Sequence, residues 1–191
     1  MTSPKAEARL AGVWYLLTGL CSVFSYLYVP GKIIVPGDAT ATARRIADAA
    51  LMYRLGILSD VVGQVFLVLL VLSLYSLLKD SGKKYARVMV ALVAVGVAVE
   101  IANAFNLIAP LILLSGADYV GVFTKAQLDS LALAFLTLRS SGLFIVSPAH
   151  MHPATHLLQP LEGLGEGAII VWLLVKGVRE PAHPPLPAST S

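Results

Sequence analysis

Long apolar blocks separated by short polar breaks dominate this chain. They run from Leu10 to Val29, Ile57 to Leu78, Val88 to about Leu114, and Leu161 to Val178. Each holds roughly 18 to 27 residues, enough for a helix rising about 1.5 Å per residue to cross a hydrocarbon core about 30 Å thick. The breaks between them are specific. Lys79 to Arg87 reads K-D-S-G-K-K-Y-A-R, a short basic turn. Pro36-Gly37 is a turn signal, and Asp38 is a suitable N-cap for a helix that follows. Pro110 is expected to kink or end the third block, because proline lacks a backbone N–H and clashes with the preceding turn.

Two further segments have helical periodicity but are too short or too polar to cross. Over 38–53, Ile46, Ala50 and Tyr53 share a face that continues to Ile57, and Arg44 is spaced to pair with Asp48. This predicts an interfacial helix. Thr124-x-x-Gln127 is a capping box opening a second helix over about 125–138. Arg139-Ser-Ser-Gly142 then reads as an interruption, so this helix is expected at the surface or partly embedded, with a full crossing as the alternative. The expected fold is all-α: a polytopic helical membrane bundle of four transmembrane helices plus one or two interfacial helices. Residues 181–191 form a Pro-rich tail expected to be disordered.

Composition agrees. Of 191 residues, 57% are hydrophobic and 13% charged, with mean hydropathy +0.79; a soluble domain carries about 25% charged residues. The net charge of +3 is spread between apolar blocks, with no aromatic-interleaved basic patch, so nucleic acid is not an expected partner. Cys21 is the single cysteine, which excludes a disulfide framework and a multi-cysteine metal site. No small-x-small cleavage pattern follows the first block, so it is expected to stay as a helix. Lys5, Arg9, Lys79, Lys83, Lys84, Arg87, Lys176 and Arg179 would share one side of a four-span arrangement. Positive charge favours the inside, so both termini are expected to be cytoplasmic. Trp14, Tyr15, Tyr26, Tyr28, Tyr53, Tyr75, Tyr85 and Tyr119 lie mostly near span ends, as an aromatic belt would.

Against this background, ionisable and amide side chains inside the spans stand out, because each is costly in hydrocarbon. Asp60 and Gln64 share a face at i,i+4. Glu100, Asn103 and Asn106 step along one side of the third block, and Glu162 and Glu166 open the last. The hairpin between the second and third blocks sets Asp60, Gln64, Asn103 and Asn106 toward one end of the bundle, with Glu100 deeper and Glu166 on the same side. Two readings follow. One is an outward-facing polar pocket for a small polar solute or ion, bound by Asp60, Gln64, Glu100, Asn103, Asn106 and Glu166. The other is interhelical glue, with carboxylates paired to Arg54 or Arg139 and amides bonded across helices. Small residues such as Gly63 and Gly96 would let helices approach closely.

Three of the four histidines, His150, His152 and His156, fall within S-P-A-H-M-H-P-A-T-H-L-L-Q-P. With Glu162 or Glu166 they could supply ligands for Zn²⁺ or a similar ion. The spacing is not H-E-x-x-H, and three prolines argue for an irregular linker whose histidines simply titrate near neutral pH. No cofactor is expected, and neither a G-x-S-x-G frame nor a Ser/His/Asp order is present.

The segments I-V-P-G-D-A-T-A-T-A, M-Y-R-L-G-I-L-S-D, L-L-S-G-A-D-Y, A-L-A-F-L-T-L and G-E-G-A-I-I-V-W-L-L-V-K-G-V resemble a bacterial integral-membrane family. It is the domain of unknown function numbered four-three-eight-six. The resemblance covers about Ala8 to Leu138 and Gly165 to Val178. It implies a helical protein of the cell membrane and no established activity, so it assigns no site residue. Family members would have two further crossings where this chain has only Arg139 to Leu164. Three functions are therefore weighed: a non-enzymatic membrane protein with a solute or ion site, a metal-assisted membrane hydrolase using the histidines, and a structural or accessory membrane protein.

Overall fold

The helix that carries the first apolar block is described from Pro4, whose missing N–H costs nothing in a first helical turn. The computed structural model describes residues 4–146 and 168–175. In it, helix α1 spans Pro4–Ile33 without a break, four residues beyond the expected end at Val29. Its middle is not uniform: α-helix over Pro4–Ser22 gives way to a π-helical turn over Val23–Tyr28, then to α-helix over Val29–Ile33.

Helix α2 covers Ala39–Asp48. Asp38 caps it as expected, its Oδ1 accepting from Ala41 N at 2.8 Å. Thr42, fully buried, ties the preceding loop down by accepting from Val35 N at 3.0 Å. The helix stops at Asp48 rather than at residue 53, because Ala49 leaves helical geometry (φ −116°, ψ 35°). Tyr53 therefore belongs to the next helix. The expected Arg44–Asp48 pair is not formed; the ion pairs among the described residues are Lys125–Asp129 and Arg139–Asp60. An exposed pair of that kind is worth little.

Helix α3, Ala50–Leu113, contains both the second and third apolar blocks. Gly82 (φ −177°, ψ 72°) breaks it within the K-D-S-G-K-K turn. Tyr53 Oη donates to the Leu107 carbonyl at 2.8 Å across 54 residues. A straight helix would hold those residues about 80 Å apart. The helix therefore folds back on itself into two antiparallel limbs, 50–81 and 83–113. Pro110 lies in the last turn, and the helix ends three residues later.

Helix α1 lies antiparallel along the first limb. Small residues allow this. A Cβ on Gly63 would come within 3.1 Å of Cys21 Cβ, and one on Gly56 within 3.1 Å of Val29. Trp14 stacks on Phe66 at 5.8 Å between ring centroids. Gly96 has open space where a Cβ would stand, so it faces away from these contacts. Residues 168–175 are helical and pack on α1, with Leu174 against Gly12.

Helix α4 begins with the expected capping box: Gln127 Oε1 accepts from Thr124 N at 2.8 Å. It then runs over Lys125–Val146, 22 residues instead of the expected end at 138. That corrects the expected interruption at Arg139. Arg139 is 7% exposed and faces another helix, so Arg139 is an inward contact and the helix continues past it. At about 1.5 Å per residue α4 is roughly 33 Å long. It runs antiparallel to the second limb, with Leu136 packed in one cluster with Leu107 and Asn103 bonded to the Arg139 carbonyl.

The described residues are all-helical, with two helices long and apolar enough to cross a membrane, α1 and α3. Their outward surfaces carry exposed Leu20, Leu27, Leu51, Leu72, Leu92, Val95 and Phe105. The buried apolar cluster is Val29, Ile33, Ile46, Tyr53, Leu107 and Leu136. It sits toward the end where α2 covers the bundle.

Candidate functional site

Four helical segments meet at one buried polar cluster. Asp60, nearly three turns into the first limb, is 3% exposed. Arg139 of α4 reaches it with Nη2 at 2.8 Å from Oδ2. Its guanidinium also lies over the Tyr26 ring, with Cζ 4.6 Å from the centroid. Tyr26 Oη in turn donates to Glu100 Oε2 of the second limb at 2.9 Å. Asn103 Nδ2 donates to the Arg139 carbonyl at 3.5 Å, and Asn106 Nδ2 to Asn103 Oδ1 at 2.8 Å.

The electrostatics are uneven. Two carboxylates face one guanidinium, so with all three ionised the cluster carries one excess negative charge. The Arg139–Asp60 contact is a close charge pair whose N–H bonds are not well aimed: Asp60 Oδ1 and both Arg139 Nη atoms are buried without a hydrogen-bond partner among the described residues. Gln64 Oε1, one turn beyond Asp60 on the same face, is likewise buried and unpartnered. Buried polar groups are normally satisfied, so this concentration of free donors and acceptors marks the site.

The structure thus brings together Asp60, Glu100, Asn103 and Asn106, with Gln64 beside Asp60. Arg139, anticipated as a pairing partner, supplies the only cation of the cluster among the described residues. Arg54 is exposed and is not that partner. Glu166 and the proposed metal ligands His150, His152, His156 and Glu162 lie outside the described residues, as do the C-terminal tail and its expected side. Among the described residues, no three His, Cys, Asp or Glu side chains gather as a metal site.

Toward the α2 end, Val29 and Ile33 of α1, Tyr53, Leu107 and Leu136 belong to the buried apolar cluster. Tyr26 and Glu100 instead meet at the flank, between α1 and the second limb, where Tyr26 is 37% exposed. Tyr53 bonds within the apolar cluster, Tyr26 bonds Glu100 at the flank, and Trp14 stacks on Phe66. Tyr26 is the cluster member that the sequence pattern does not single out. It sits on the π-helical turn, and such turns re-aim side chains and recur at functional sites. Its only trace in sequence is a phenol close to mid-chain carboxylates in hydropathic depth.

The family profile described as "Domain of unknown function (DUF4386)" matches residues 10–151. The chain belongs to this family. The match takes in α1 from residue 10, all of α2 to α4, and all the described members of the polar cluster. No curated protein and no solved structure matches the chain.

Proposed function

We propose that this DUF4386 protein is a multi-pass protein of the cell membrane that binds a small monovalent cation at the Asp60–Glu100 cluster. The membrane reading is supported by the apolar lengths of α1 and α3 and by the large apolar side chains on their outer surfaces. A soluble monomer does not expose contiguous apolar surface on that scale. On this reading α1, the two limbs of α3 and α4 each cross, which replaces the expected interfacial role of α4 with its alternative. Helix α2 lies at the outer interface. Lys5, Arg9, Lys79, Lys83, Lys84 and Arg87 fall at one end, which is assigned to the cytoplasm.

One observation carries the cation site. Asp60 Oδ1 and Gln64 Oε1 are buried, unpartnered acceptors on one helical face, next to a cluster with one carboxylate in excess. Hard cations take oxygen ligands of this kind. Arg139 holds Asp60 in place, and the flank between Tyr26 and Glu100 is the approach.

The test is thermal unfolding of the detergent-purified chain in sodium, potassium, lithium and N-methylglucamine chlorides at equal ionic strength. One metal cation should raise Tm over N-methylglucamine, and Glu100→Gln should abolish that difference while remaining folded. Identical Tm in all four salts, with folded variants, would leave the cluster as structural glue. The metal-hydrolase alternative, resting on His150, His152, His156 and Glu162, is decided separately by metal content in the wild type and the triple His→Ala variant.

A further inference from the structure

A second site lies at the other level of the bundle, where α2 crosses over the start of α4. A groove of about 540 Å³ opens there, within the roughly 300–1,000 Å³ typical of small-molecule sites. Its walls are largely apolar: Ala43 and Ala47 from α2, Leu113 and Leu114 from the end of the second limb, and Leu128 from α4. Two cations stand on it, Arg44 and Lys125. Its one acid, Asp129, is 2% exposed and lies under Lys125, with Nζ–Oδ2 at 3.0 Å. Arg44 has no ion-pair partner among the described residues.

We infer that this groove binds one anionic phospholipid of the surrounding leaflet, with an acyl chain along Ala43, Ala47, Leu113 and Leu128 and the phosphate between Arg44 and Lys125. Charge complementarity selects the occupant. The only carboxylate is already neutralised by Lys125, so the groove presents the uncompensated charge of Arg44 together with the three donors of an ammonium. An apolar trough ending in two cations fits an amphiphile with an anionic head better than a neutral one. The placement fits as well: on the membrane reading, on which this inference rests, α2 lies at headgroup depth.

The experiment titrates phosphatidylglycerol or phosphatidylcholine, in otherwise identical short-chain form, into the detergent-purified full chain, with binding read by native mass spectrometry. The uncompensated charge of Arg44 should give phosphatidylglycerol about a fivefold preference, lost in Arg44→Gln. Lys125→Gln combined with Asp129→Asn removes the ammonium donors without leaving a buried acid unpaired or changing the net charge, and should weaken both lipids, which share the phosphate, while leaving the Arg44-dependent preference in place. Ala47→Phe fills the trough and should weaken both lipids while leaving the charges in place. Equal affinity for the two lipids overturns the inference, as does a preference unchanged in Arg44→Gln. Glycerol phosphate alone binding as tightly as phosphatidylglycerol overturns the lipid assignment. Flotation of the chain with membranes is scored in parallel, so failure of the groove is distinguishable from failure of the membrane reading.

Discussion

Arg139 of α4 and Asp60 of the first limb of α3 form a buried ion pair, Nη2 to Oδ2 at 2.8 Å, with side chains 8% and 3% exposed. This contact joins two helices that are distant in sequence, and it explains why a polar Arg-Ser-Ser-Gly segment continues a helix. Removing one partner of a buried pair leaves the other charge uncompensated, at a cost of about 3–5 kcal/mol, whereas replacing both with apolar residues of similar size is often neutral. Arg139→Met should therefore destabilise strongly, and Asp60→Leu combined with Arg139→Met should recover most of the loss. Unfolding in mixed micelles measures both. A double variant no better than the single one would mean the pair has no coupling.

Tyr26 serves two partners, and they can be separated. Tyr26→Phe removes the hydroxyl donated to Glu100 but keeps the ring under Arg139. It should cost about 1.5–3 kcal/mol, the range for a hydrogen bond to a charged group. Tyr26→Leu also loses the cation–π contact, for roughly a further 0.5–2 kcal/mol. Equal stabilities for the two variants would show that the ring contributes nothing beyond its volume.

Much of this arrangement is legible in the sequence, for physical reasons. Apolar length reports helices, and K-D-S-G-K-K reports a reversal, because charge and glycine cannot stay in an apolar stretch. Asp38 and Thr124-x-x-Gln127 report helix starts through the unpaired N–H groups they satisfy. Asp60, Glu100, Asn103 and Asn106 stand out because polar groups in apolar blocks are costly. Legibility fails where a residue's role depends on a distant partner. Tyr26 resembles any tyrosine near a span end until Glu100 and Arg139 are beside it. Arg139 resembles a helix break until Asp60 is found. Gly63 and Gly96 look alike in sequence, and only packing separates them.

Tyr53 closes the hairpin by donating to the Leu107 carbonyl at 2.8 Å in the apolar cluster. Tyr53→Phe preserves the ring and removes one hydrogen bond, so a loss of about 1 kcal/mol is expected. Tyr53→Ala also empties the cluster and should cost about 3–5 kcal/mol. Both are read by denaturant unfolding in detergent, and a Phe variant as damaged as the Ala variant would contradict the assigned bond.

The two glycines give a paired test of the α1 contact. Gly63→Val places carbon against Cys21 Cβ, which already lies 3.1 Å from where a Cβ would stand. Overpacking of this kind costs about 1–3 kcal/mol. Gly96→Val meets open space and should be nearly neutral. Matching effects at both sites would place Gly96 in an interface as well.

The path of α4 separates a crossing helix from one lying on the surface. On the crossing reading its start is at the outer face and its second half is inside. In a Cys21→Ser background, single cysteines at Val122 and at Leu138 should then differ. Val122 is 82% exposed in the loop before the helix, and its cysteine should react with a membrane-impermeant maleimide added outside intact cells. Leu138 is 55% exposed, yet its surface would face lipid, about 20 Å along the helix from Lys125. Its cysteine should resist the reagent until detergent is added. A helix lying in the interface would instead expose outward positions along its whole length, so prompt labelling at Leu138 in intact cells would return α4 to the surface. Arg139 would then have to reach Asp60 from outside the bundle, which its 8% side-chain exposure does not permit without rearrangement.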